Sequence, residues 1–183
     1  LDFKRIRTGW WGNEFAWQAG IFRTNIFNID NLDAVFEYTL IEPFVYSNRV
    51  VGNNYTHADV SLGHHLQPNS DEIFIQLNYR ISEQLRTWFI FAHERHGENY
   101  GNGSAYRNVG GSVLEGHRWF DDEYAAFLDG HLQKMQKLQF KICYEPLTNY
   151  FLDVVYEWNR ENKTWISQVT NYNLFLVQMR IEY

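Results

Sequence analysis

Three histidines and two acids fall in one polar stretch of the chain: His57, His64 and His65 with Asp59 and Asp71. Imidazole and carboxylate are metal ligands and proton carriers. Their spacing here matches no zinc pattern, so neither a metal nor a cofactor is expected. Asn53, Asn54, Gly63, Pro68 and Asn69 stand among them. Residues of these types let a long loop bond its own backbone and turn. Ser61 lies near His64, a pairing an acyl hydrolase uses, but no nucleophile motif surrounds the serine.

A second polar stretch reads His93-Glu94-Arg95-His96-Gly97-Glu98, followed by Arg107, Asn108 and His117. Histidine beside glutamate is capable of acid–base work. The same residues also make ion pairs at a rim or a polar surface for glycan. Tyr55, Tyr100, Tyr106, Trp119 and Phe120 could stack on sugar rings or pack within the loops. Nothing in either stretch assembles a catalytic set, so no enzymatic activity is expected.

The elements that carry these stretches follow a period of two. Leu138, Phe140, Ile142 and Tyr144 alternate with Gln139, Lys141, Cys143 and Glu145. Tyr150, Leu152, Val154, Tyr156 and Trp158 alternate with Phe151, Asp153, Val155, Glu157 and Asn159. A strand puts each such set on one face, whereas a helix would scatter them. The pattern predicts strands over 1–8, 15–25, 32–46, 71–81, 85–93, 132–145 and 150–159, and a last one ending at Tyr183. Pro43 removes one ladder donor from the third. Short connections are expected near 24–31, 82–84 and 146–149, and long ones near 47–70, 94–130 and 160–171. That alternation, with one exception at 8–14, is the connection pattern of an up-and-down outer-membrane barrel. Strand parity then puts the long loops 47–70 and 94–130 outside the cell.

Composition narrows the choices. The chain has 183 residues, 18% of them aromatic, and a net charge of −6. One domain is expected over 1–183, with no footprint for nucleic acid. The lone Cys143 excludes an intrachain disulfide and a cysteine zinc site. Apolar runs reach only five residues, far short of a helical membrane span of about 20. The apolar faces carry Tyr144, Tyr150, Trp158 and Tyr183 near strand ends, as an aromatic girdle would. The polar faces carry both signs of charge, which suits a barrel lumen better than a packed core. Lys141 with Asp153 and Glu157, and Arg180 beside them, are expected to form a lumen charge network. The last strand, with its terminal aromatic Tyr183, is of the kind read by the barrel-assembly machinery. Large apolar residues at lumen positions argue for part of a larger barrel over eight strands closing alone.

The order of several short blocks resembles the Wzi-type capsule assembly proteins, in their Bacteroidetes version. The blocks are Gly9-Trp10-Trp11-Gly12-Asn13, Glu37-Tyr38-Thr39, Glu42-Pro43-Phe44-Val45-Tyr46-Ser47 and Asn54-Tyr55-Thr56-His57. They continue with Gly63-His64-His65-Leu66, Pro68-Asn69-Ser70-Asp71-Glu72, Arg95-His96-Gly97-Glu98-Asn99 and Phe127-Leu128-Asp129-Gly130. The chain has Ile41-Glu42-Pro43 where such proteins often carry Arg-Pro after an Arg. The resemblance implies an outer-membrane barrel of about eighteen strands, of which this chain supplies roughly the last eight. It also implies a lectin-like role, holding capsular or exopolysaccharide at the surface, with outer-membrane lipid as the second partner. His57, His64, Arg95, His96, Arg107 and Trp119 are the candidate polysaccharide contacts. A porin or solute uptake channel is the alternative, and an outer-membrane lipid hydrolase using Ser61 a further one.

Overall fold

A computed structural model describes residues 8–58 and 60–182. Over these residues the chain is all-β: seven antiparallel strands run up and down in sequence order, with one two-stranded hairpin inserted in a loop. The sheet strands are β1 (Ala16–Arg23), β2 (Leu32–Ile41), β5 (Ser70–Arg80), β6 (Leu85–Glu98), β7 (His131–Leu147), β8 (Tyr150–Lys163) and β9 (Gln168–Ile181). The hairpin is β3 (Thr56–His57) with β4 (Val60–Ser61).

Several boundaries differ from the sequence expectation. The strand expected over 1–8 lies outside the described residues except for Thr8, which stands in a turn. The third expected strand ends at Ile41 rather than residue 46. Pro43 has no ladder donor, and Phe44 and Tyr46 take positive φ angles of 66° and 68°, which curl the chain inward. β6 runs on through Glu98, so Glu94, Arg95 and His96 belong to a strand and not to a loop. The long connection expected over 160–171 is also strand. β8 and β9 pair from Tyr150↔Ile181 to Lys163↔Gln168 and turn tightly through Thr164–Ile166. Asn, Arg and Lys there read as loop, yet they alternate along a solvated ladder. Pro146 sits near the end of β7, where the register to β8 slips between Tyr144 and Leu147.

Register fixes the two faces. Phe36, Ile75, Phe91, Leu138 and Trp158 lie level with one another across five strands. Ala34, Leu77, Phe89, Phe140, Tyr156 and Phe175 form the next level. This face is therefore one apolar band, and many of its rings are open to the surroundings. Toward the long loops it turns polar at Asp71, His93, Gln136, Arg160 and Asn173, whereas β2 stays apolar through Leu40. Leu40 is level with Asp71, and Trp158 is level with Asn173. His93, Gln136 and Arg160 share one level, so the polar border descends in steps, from β2 to β5, from β5 to β6 and from β8 to β9.

The opposite face carries the charged groups, with apolar residues such as Phe74, Ile90, Val155 and Leu176 among them. Among the described residues the sheet does not close: β1 and β9 are its two edges, and nearly every residue of both is exposed. The buried core sits elsewhere. Ile41, Val45 and Leu66 cluster, with Phe44, Val109, Val113 and Ala125 also buried. All belong to the upper end of β2 and to the loops 42–69 and 99–130. The two long loops therefore fold into a packed cap on one end of the sheet. Trp11 stacks on His117 at 4.1 Å, and Phe44 meets both rings edge-on.

Candidate functional site

Three groups of chemically capable side chains are positioned by this frame. The first is a cleft of about 270 Å³ in the cap, lined by Tyr100, Tyr106, Arg107, Asn108, Phe120, Asp121, Asp122, Tyr124 and Asp129 among others. A local turn builds it. Arg118 donates to both carboxylate oxygens of Asp121, three residues on, and Asn108 donates to the same carboxylate. The Arg118 guanidinium also lies 4.6 Å from the Phe120 ring centre and 5.1 Å from that of Tyr106. Two rings are thereby held at fixed angles around one cation. Trp119 stands at the edge of the cleft, 86% exposed and T-shaped against Phe120. Burial and the hydrogen bond to Glu115 push the Tyr106 phenol up to about 12, so it remains a donor at neutral pH.

Burial disfavours the Asp121 carboxylate, but the bonds from Arg118 and Asn108 outweigh that and hold its pKa below the ordinary value. A depressed folded pKa stabilises the fold above the unfolded value of 3.8, and that stabilisation is lost as pH falls through the folded pKa. The 108–121 turn should therefore loosen below about pH 4, read as protease cleavage within it. In Asp121→Asn that acid step should be missing and cleavage should already occur at neutral pH. A turn equally resistant in both proteins at pH 3 and pH 7 counts against the assignment.

The second group lines the inner, polar face. A cavity of about 600 Å³ is bounded by His65, Glu72, Glu94, Lys137, Asn159, Glu161 and Tyr172 among others. Glu72 and Glu94 are cross-strand partners. Both lie above the apolar band, toward the cap. Burial and the neighbouring Glu72 charge raise Glu94 to about 7. His65 lies 3.2 Å from Glu72, an ion pair that raises the imidazole against its own burial. His64 is lowered, chiefly by burial.

The third group lies lower on the same face. Asp153 is buried between Lys141 at 3.9 Å and Arg180 at 3.6 Å. Lys141 sits opposite Val155, diagonal to Asp153 and Glu157. Glu157 takes Lys137 and Gln139 instead, at 2.9 and 2.7 Å. Lys141 also lies over Trp88, and Arg180 over Phe151. Large apolar residues at inner positions thus serve as covers for cations. The inner face carries both signs at each end: Glu37, Glu72, Glu94, Glu157 and Glu161 with Lys137 and Lys163 toward the cap, and Arg80, Arg86, Lys141 and Arg180 with Asp153 toward the short turns.

The sequence candidates scatter across these groups. Arg107 lines the cleft and pairs with Asp122 at 3.8 Å, whereas Trp119 lies outside the lining and packs on Phe120, which belongs to it. His57 is exposed on the small β3–β4 hairpin. His64 is half-buried, its Nδ1 accepting from the Leu66 amide. Arg95 grips Asp71 with two donors, and the Tyr38 hydroxyl donates to the same carboxylate. His96 is buried and bonded to Ser70 at 2.8 Å, so a ligand on the surface does not reach it. Ser61 accepts from the Gly63 amide, and no bond joins it to a histidine among the described residues. Spacing gave no hint of Tyr124, Asp121 or Asp122 at the cleft, although Arg118-x-x-Asp121 was a readable turn signal. Comparison with protein-family models, curated proteins and solved structures finds no match to this chain.

Proposed function

We propose that this chain forms part of an outer-membrane β-barrel whose cap of loops holds capsular or exopolysaccharide at the cell surface. The observation that carries the reading is the continuous apolar face with its slanted polar border. Strands of a barrel tilt by about 35–45° from the membrane normal, so a level lipid surface cuts successive strands at shifting register positions. The border moves in that direction from above Leu40 in β2 to Asn173 in β9, in three steps with β6, β7 and β8 at one level. From Tyr150 to Trp158 the apolar stretch of β8 is about 27 Å long, or about 21 Å high after tilt. An outer-membrane barrel presents an apolar band of about 25 Å. A face of this size left in water would be far larger than the patches soluble proteins tolerate.

Lipid cannot satisfy open strand edges, so the exposed edges of β1 and β9 call for further strands to close the barrel. The Wzi-type resemblance supplies both that larger barrel and the polysaccharide. The cap supplies the chemistry: exposed rings of Trp119, Phe120 and Tyr124 beside donors and acceptors from Arg107, Asn108 and Asp122. Asp121, Asp122 and Asp129 outnumber Arg107 and Arg118, and both arginines already face a carboxylate, which favours hydroxyl-rich sugars over strongly acidic ones. Trp119→Ala and Tyr124→Ala should each weaken polysaccharide binding by about three- to tenfold in detergent-solubilised protein, the loss of one ring contact of about 0.5–1.5 kcal/mol. Unchanged binding in the double variant would remove the cap from the reading.

The two-signed inner face favours a second reading, a solute channel. Conductance across planar bilayers separates the two, since a polysaccharide anchor needs no open path and a channel does.

A further inference from the structure

His64, His65 and Glu72 each bring one potential ligand atom to within 4.8 Å of the others. The sequence spacing gave no reason to expect this, because the convergence depends on the 62–69 loop folding back onto β5. The His64 ring is oriented by the Leu66 amide, which donates to Nδ1 at 3.3 Å and leaves Nε2 as its other nitrogen. His65 Nε2 stands 3.2 Å from Glu72 Oε2. Two ligands on a tetrahedral zinc ion, each at about 2.0–2.1 Å, stand about 3.3 Å apart. Glu94 lies directly across the β5–β6 ladder from Glu72 and lines the same cavity. Like charges placed directly opposite on a sheet destabilise it. The cation facing them, His65, has a side chain 63% exposed and is therefore a weak counter-charge.

We propose that His64, His65 and Glu72 bind a divalent transition-metal ion of the zinc type, with Glu94 across the ladder adding negative charge beside it. Imidazole with carboxylate selects such ions, whereas calcium and magnesium prefer all-oxygen shells and soft copper(I) prefers sulfur. The ion offsets the like charges of Glu72 and Glu94 and ties the 62–69 loop to β5 at the mouth of the inner cavity. The site does not depend on membrane insertion or on the polysaccharide, and it is separate from the Arg107–Trp119 cleft.

The test uses the detergent-solubilised protein, stripped with a chelator and titrated with zinc by calorimetry and with cobalt by visible absorption. One zinc per chain and a cobalt spectrum of tetrahedral intensity are expected. His64→Ala and Glu72→Gln should weaken zinc binding by at least about a hundredfold, beyond the 10–100-fold seen for outer-shell partners. Glu94→Gln relieves the like-charge pair, so it should keep the sheet intact by circular dichroism while still losing zinc affinity. His57→Ala, on the exposed hairpin, should bind as the parent does. Absence of zinc binding, or equal binding by the parent, His64→Ala and Glu94→Gln, would overturn the proposal. Polysaccharide binding is read separately by the Trp119 and Tyr124 variants, so failure of either leaves the other standing.

Discussion

Asn69→Ala should lower stability by roughly 3–5 kcal/mol, the largest loss expected from any single cap residue. Asn69 has no exposed surface and a φ of 58°, a left-handed conformation that asparagine tolerates better than most residues. Its amide nitrogen donates to the carbonyls of Gly97 at 2.9 Å and Asp129 at 3.0 Å, and its oxygen accepts from the Leu128 amide at 2.6 Å. Its backbone also bonds Glu42 and Gly97. One side chain thereby joins the end of β6 to the segment leading into β7. Alanine strands three buried partners, each costing about 1–3 kcal/mol, with some relief if water enters. Asn69→Asp should be no better, because a carboxylate would face two carbonyl oxygens. The crowding there is severe: a Cβ on Gly97 would meet the Asp129 carbonyl at 2.2 Å. The urea midpoint of the detergent-solubilised protein, with protease cleavage near 127–130, measures the effect. A change under about 0.5 kcal/mol, within the range of neutral surface substitutions, would show that Asn69 does not hold the loops together.

Phe140→Arg should cost about 2–4 kcal/mol of folding stability in a bilayer, whereas Gln139→Arg should cost less than about 1. The two residues are adjacent on β7 and point to opposite faces. Phe140 lies in the middle of the apolar band, level with Phe89 and Tyr156, and is 44% exposed. Gln139 faces inward and donates to Glu157. In water, arginine at a site as open as Phe140 would cost little, because its charged end would reach solvent. In lipid the same charge must leave water or distort the bilayer. The comparison therefore separates a membrane-facing band from an exposed sheet face. Folding yields into lipid vesicles across a urea series provide the measurement. Equal cost at both positions would remove lipid as the neighbour of the band and with it the barrel reading.

Strand faces were legible because they depend only on local alternation. Leu138 to Tyr144 and Tyr150 to Trp158 fall on one face in any antiparallel arrangement. Pairing order was legible for a related reason: consecutive strands joined by short turns become neighbours. Strand ends were not. The upper parts of β6, β8 and β9 carry Arg, Asn, Lys and His, residues that suit a loop and a solvated ladder equally well. Only the pairing of Glu98 with His131 and of Lys163 with Gln168 decides for the ladder.

The site was less legible than the strands. His64 and His65 were conspicuous in sequence, but Glu72 reads as an ordinary strand residue and Glu94 as part of a loop, and only the β5–β6 register sets them facing each other. His96 read as an exposed loop group and is instead buried against Ser70. The cleft of Arg107, Asp121 and Tyr124 joins residues from different parts of one long loop, and nothing local specifies how such a loop returns on itself. By itself, then, the sequence determined an all-β antiparallel chain with one oily and one wet face, because side-chain alternation is a property of single strands. Tertiary structure alone decided the slant of the apolar border, the buried cap, the open edges and the meeting of His64, His65 and Glu72. Each of those requires knowing which residue of one strand or loop lies beside which residue of another.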